Sequence, residues 1–207
     1  MKLMQLRVLP MRSLRLSRVL FGAITVLIYF CSLPVAAETK YPYQVFLQGG
    51  TYNFEVTTET NDSSDTLSGF GAYSIGVGAT IFQKFLVVAG YSLILSDGFT
   101  GSTATGLDFG MRYYHWTRPS MEVSEVENLE MSVYNLYNPY VGLAVRSRDF
   151  LSTLTSTYLG LGFVAGLDYR YKKDYYLNAE FRYEELESPA SKTLVQMNIL
   201  FGIGVYF

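Results

Sequence analysis

The chain has 207 residues, with 16 basic, 18 acidic and one histidine. That length suits one domain plus a short additional segment. The charge balance turns clearly acidic beyond the first residues and argues against nucleic acid as a partner, because phosphate contacts need clustered Lys and Arg.

Residues 1–37 differ from the rest. The charges before Glu38 are all basic (Lys2, Arg7, Arg12, Arg15 and Arg18), an apolar run follows from Val19 to Phe30, and Val35-Ala36-Ala37 closes the segment with small residues. Basic, apolar and small in that order is a secretory signal peptide, expected to be cleaved after Ala37. A retained anchor is the alternative, but the apolar run is short against the roughly 20 residues a spanning helix needs. Without residues 1–37 the balance becomes 11 basic against 18 acidic, a net charge of −7. The single cysteine, Cys31, leaves with them, so the mature chain (38–207) offers neither disulfides nor thiolate metal ligands.

From residue 43 onward, residues of high β-propensity recur at every second position, the period of strands. A first strand runs from about Tyr43 to Val56; its apolar parity switches near Gly49-Gly50, where a β-bulge would reset the face. In the second, Leu67, Tyr73, Ile75, Val77, Ala79 and Ile81 share one face with Gly69 and Gly71. Phe85 to Leu95 form a third, and Leu107 to Tyr113 a fourth. Val141, Leu143 and Val145 mark a fifth, whose start lies anywhere from Leu129 onward, with Pro139 at its beginning or at a break in it. Leu159–Tyr169, Tyr175–Tyr183 and Val195–Phe207 supply the last three, making eight.

Alternation alone suits a soluble barrel or sandwich as well as a membrane barrel. The second face decides between them. It is rich in glycine and serine and carries Asp108, Asp168, Glu180 and Glu184 against Arg112, Arg146, Arg170 and Arg182. Equal numbers of opposite charges suit the inside of a narrow barrel, since an isolated buried charge costs several kcal/mol or more. The polar face is therefore assigned to the lumen and the apolar face to lipid. In hydrocarbon an open strand edge has no water to satisfy it, so the sheet must close. The expected fold is all-β: an eight-stranded antiparallel up-and-down transmembrane β-barrel. Short connections at 82–84 and 172–174 suit the periplasmic side; those at about 57–66, 96–104, 148–154 and 187–192 suit the outer side. The acidic stretch from Arg118 to about Asn128, with Glu122, Glu125, Glu127 and Glu130 in or beside it, reads as a solvated turn. Tyr43, Phe85, Tyr113, Tyr169, Tyr171, Tyr175 and Phe207 would make an aromatic belt at the periplasmic interface.

The last segment, Ile199-Leu200-Phe201-Gly202-Ile203-Gly204-Val205-Tyr206-Phe207, resembles the terminal strand of bacterial outer-membrane proteins. Size and strand count are similar to those of the small OmpA/OmpX-type barrels, over roughly residues 38–207 and without a periplasmic domain. The resemblance implies that Phe201, Ile203, Val205 and Phe207 are read by the outer-membrane assembly machinery. It also implies an outer-membrane location, with lipid as a partner and both mature termini in the periplasm. A monomer is expected.

Catalysis finds little support. His115 has no serine beside it and its parity points to the lipid interface, whereas a general base needs a nucleophile and an orienting group within reach. Arg182 lies between Glu180 and Glu184, which favours a structural charge network over a catalytic pair. The Gly-x-Gly runs sit inside strands, out of place for phosphate binding. No catalytic, cofactor or metal residue is assigned. The expectation is a structural or surface-interaction protein with a lumen filled by side chains. A small channel or a transporter of hydrophobic solutes is the alternative.

Overall fold

The computed structural model describes residues 42–58, 63–95, 103–117, 119, 122–126, 129–150, 157–189 and 192–207. The expected signal peptide, residues 1–37 with Cys31, and much of the expected outer connections lie outside them. The period-2 segments form strands β1 (Tyr43–Thr58), β2 (Ser63–Ile81), β3 (Phe85–Leu95), β4 (Thr103–Tyr113), the short β5 (Glu122–Val126) and β6 (Leu129–Val133), then β7 (Tyr137–Phe150), β8 (Thr157–Arg170), β9 (Tyr175–Ser188) and β10 (Lys192–Tyr206). Eight of them close an antiparallel barrel in the order β1-β10-β9-β8-β7-β4-β3-β2. The seam between first and last strands runs from Gln44 opposite Tyr206 to Thr58 opposite Lys192. Tyr43 and Phe207 extend it by exchanging backbone hydrogen bonds of 3.1 and 2.9 Å.

The barrel is built inside out relative to a soluble protein. Its exposed side chains include Leu47, Ile75, Val77, Leu143, Leu161, Ile199, Phe201 and Ile203, while Gln48, Asp108, Arg146, Asn178, Glu184 and Gln196 are buried. Hydrocarbon is the solvent that makes this arrangement favourable. Outward-facing rings pair around the end that carries the termini: Tyr43 with Phe207, Phe85 with Tyr113, Tyr137 with Tyr169 and Tyr171 with Tyr175, at centroid distances of 4.9–6.1 Å. This is the girdle that the sequence pattern implies.

A spanning strand needs about 9–11 residues. β3 and β4 have 11 each, but β1 has 16, β2 has 19 and β10 has 15. The excess rises at the end away from the termini, where the outward side chains Asn53, Glu55, Thr66, Ser68, Glu185 and Glu187 are polar and exposed. Outward apolar residues stop there although the ladder continues, so strands end later than the lipid-facing pattern indicates.

Two expectations need correction. The bulge lies in β2, not in β1. Gly50 pairs with Ala72 and Thr51 with Phe70, leaving Gly71 as the extra residue, with φ of +145°. Parity along β1 is therefore unbroken, and Tyr52 and Phe54 point into the lumen. In β2 the face flips instead: Leu67 packs inward with them, and Phe70 is 76% exposed. Second, Leu129–Val133 does not begin the fifth barrel strand. It pairs with Glu122–Val126 in a separate hairpin, so the acidic stretch is not a simple turn; its side chains lie outside the described residues. The barrel strand starts at Tyr137. Pro139 is its third residue and pairs with Leu167, beyond the last β4 partner, Val141, so its missing N–H costs the β4 ladder nothing.

A Cβ at Gly71 would come within 2.6 Å of the Leu95 carbonyl oxygen, on a backbone that L-residues rarely adopt. Gly71→Ala should lower the stability of the refolded barrel by about 1–3 kcal/mol in urea titrations. Gly49→Ala, whose one tight contact is with the movable Tyr73 ring at 3.3 Å, should be close to neutral.

Candidate functional site

Lumen-facing positions alternate along every strand, and neighbouring strands place them in layers. At the end away from the termini, Tyr52, Phe54, Ile94, Tyr158, Leu186 and Leu194 form an apolar layer. The Phe54 ring lies 5.2 Å from Tyr52 and 5.9 Å from Phe150, and Phe150 lies 5.6 Å from Tyr158. Toward the termini, Phe46, Leu86, Tyr114, Tyr140, Tyr176 and Tyr206 form an aromatic layer. Several of these rings need a glycine directly across the ladder. A Cβ at Gly204 would fall 2.1 Å from the Tyr176 ring, and one at Gly166 would fall 2.4 Å from that of Tyr140.

Charge occupies the space between the two layers. Arg148 Nη1 donates to Asp108 Oδ1 at 2.7 Å and Nη2 to Glu184 at 2.8–3.0 Å, tying β7 to β4 and β9. Arg146 pairs with the same Glu184 and approaches Asp108 at 3.9 Å. The other Asp108 oxygen accepts from Ser92 at 2.5 Å and Arg182 at 3.3 Å. Arg182 also pairs with Glu180 and donates to Gln48 at 2.6 Å. Glu180 in turn accepts from Arg112 and from the Tyr140 hydroxyl, each at 2.5 Å. The Arg112 guanidinium sits between the rings of Tyr140 and Phe46, 4.7 and 5.0 Å from their centroids.

All eight charged residues read from the sequence are buried, but they do not form one ion-pair network. Asp108, Arg112, Arg146, Glu180, Arg182 and Glu184 do. Asp168 makes no ion pair among the described residues; it accepts hydrogen bonds from Asn178 at 2.6 Å and from the Tyr114 hydroxyl at 2.8 Å. Arg170 donates to the Pro119 carbonyl at 2.6 Å and stacks on Tyr206, 4.0 Å from its centroid, at the terminal end of the lumen. Arg148 was the residue missed. The expectation of a loop from 148 hid it, although it shares the inward parity of Arg146 on a strand that runs to Phe150. With it, the described lumen holds five arginines against four carboxylates, so the equal balance is corrected.

His115 is exposed at the terminal rim. Its Nδ1 lies 3.2 Å from the Tyr113 hydroxyl, and its ring packs edge-on against Trp116, centroids 5.0 Å apart. Phe201, Ile203, Val205 and Phe207 all face outward.

A family described as Opacity family porin protein matches residues 134–207, which include β7 to β10. Neisserial surface protein A is 17% identical over 80% of this chain and 97% of its own, with a TM-score of 0.54. The outer-membrane protein OprG from Pseudomonas aeruginosa is 14% identical over 82% and 97%, with a TM-score of 0.50. At such identities the likeness is one of fold, and the fold is that of small outer-membrane barrels. No curated protein sequence matches the chain.

Removing Arg148 would leave Asp108 and Glu184 short of a donor in a buried setting. Arg148→Met should therefore cost about 3–5 kcal/mol in urea unfolding of the refolded barrel. Arg170→Met, whose partners are a carbonyl and aromatic faces, should cost clearly less.

Proposed function

We propose that this outer-membrane-type barrel is a closed, non-enzymatic integral protein of the bacterial outer membrane with a structural or surface-interaction role. The observation that carries the reading is the packing of the lumen. An apolar layer, a charge network and an aromatic layer succeed one another along the axis, and the cavity within the network measures about 30 Å³, room for one or two water-sized guests. An eight-stranded barrel is narrow enough for side chains to fill.

In this reading residues 1–37 direct export and are removed, both mature termini face the periplasm, and the polar extensions of β1, β2, β9 and β10 carry the connecting segments outward. Lipid covers the apolar band. The assembly machinery reads Phe201, Ile203, Val205 and Phe207, and the barrel works as a monomer. The rim location of His115 beside Tyr113 and Trp116 suits an interfacial side chain rather than a general base. The family description contains the word porin, which favours a second reading: a small channel whose filter would be the lumenal arginines and carboxylates.

Planar-bilayer recordings of refolded residues 38–207 separate the two. Folding is verified independently by heat-modifiable gel mobility. The closed reading expects no discrete openings across a range of salt and pH. Reproducible unitary openings that change when Arg148 or Arg182 is neutralised would replace it with the channel.

A further inference from the structure

The cavity inside the charge network is lined by Phe46, Asp108, Arg112, Arg146, Glu180 and Arg182, among others. We propose that it is a binding site for one small monovalent anion of the halide class.

Charge counting gives the first support. The ion-paired network contains Arg112, Arg146, Arg148 and Arg182 against Asp108, Glu180 and Glu184, four positive groups to three negative. Asp168 offsets this excess only in part: its hydrogen bonds go to Asn178 and Tyr114, and it acts on Arg112 through space without touching it. A buried positive charge that is only partly compensated is costly, and a single anion offsets the remainder.

Donors give the second. Arg112 Nη1 and Arg146 Nε are both buried, and neither has a hydrogen-bond partner among the described residues. Both side chains line the cavity. The two carboxylates on its wall do not repel a guest strongly, because their oxygens are already engaged: Asp108 by Ser92, Arg148 and Arg182, and Glu180 by Arg112, Arg182 and Tyr140.

Size decides the class. About 30 Å³ of space for water-sized guests, against the roughly 10–15 Å³ that one water needs, admits a halide with ease and suits a phosphate, sulfate or carboxylate-bearing solute less well. A cation would meet three guanidinium groups. Water would fit but would leave the charge in place. The site is equally consistent with a closed barrel and a conducting one.

Equilibrium dialysis of the refolded barrel against radiolabelled chloride tests the proposal in a nonionic detergent. The expected result is one saturable equivalent per barrel, displaced by bromide and not by sulfate. Arg112→Gln should weaken binding roughly tenfold or more, since it removes both a donor and the excess charge. Ala144→Val adds bulk to the cavity wall while keeping every charge, and should weaken binding as well. No saturable chloride on the folded wild-type barrel would overturn the proposal. So would binding that both variants retain unchanged, or that sulfate displaces as readily as bromide.

Discussion

Fifteen residue pairs join β1 to β10, and backbone hydrogen bonds at Tyr43 and Phe207 complete the join. In hydrocarbon an unpaired N–H or C=O costs several kcal/mol, so a sheet that presents Leu47, Ile75 and Ile203 to lipid can exist there only without edges. Closure then fixes everything inside it. The side chains opposite the apolar band are forced onto one axis, where polar groups must satisfy one another.

The lumen meets that demand by division. Arginine and carboxylate share its middle, and rings and aliphatic side chains seal both sides. A buried ion pair gains little over an apolar pair of similar volume, but breaking one is expensive. The network accordingly acts more as a specification than as a source of stability. Arg148 makes this concrete: it holds two carboxylates from two other strands, and the β4–β7–β9 relationship is set by that geometry. Arg112, between two rings and Glu180, does the same for β4, β7 and β9 one step nearer the termini.

Much of this was legible in the sequence because period 2 is a strong signal and the barrel has only two faces. The strand count, antiparallel order, aromatic girdle and inward position of Asp108, Arg112, Arg146, Asp168, Arg170, Glu180, Arg182 and Glu184 follow from parity alone. What parity could not supply was the side on which an irregularity falls. A switch of apolar residues near Gly49-Gly50 looks the same whether lipid-facing residues continue past a bulge or lumen-facing ones begin to be apolar. The lumen's apolar layer makes the second true, and the bulge belongs to Gly71 on the neighbouring strand. Arg148 and the strand ends were obscured for a related reason. Beyond the lipid band the outward face turns polar, so the lipid-facing pattern that reveals a strand fades while its hydrogen bonds continue. The β5–β6 hairpin was obscured by its acidic residues, which read as solvated chain.

The long β1–β2 ladder, paired from Tyr43 and Ala79 up to Thr58 and Ser63, separates two kinds of selection on this chain. Residues in the band answer to lipid and to the lumen together, so a change there is tested twice. Above it, the ladder is held by backbone hydrogen bonds that do not depend on which side chains are present. The chain can therefore rewrite its outermost positions, exchanging one set of polar residues for another, while its spanning part stays as it is. Such an arrangement lets the outermost strand positions vary without renegotiating the fold beneath them.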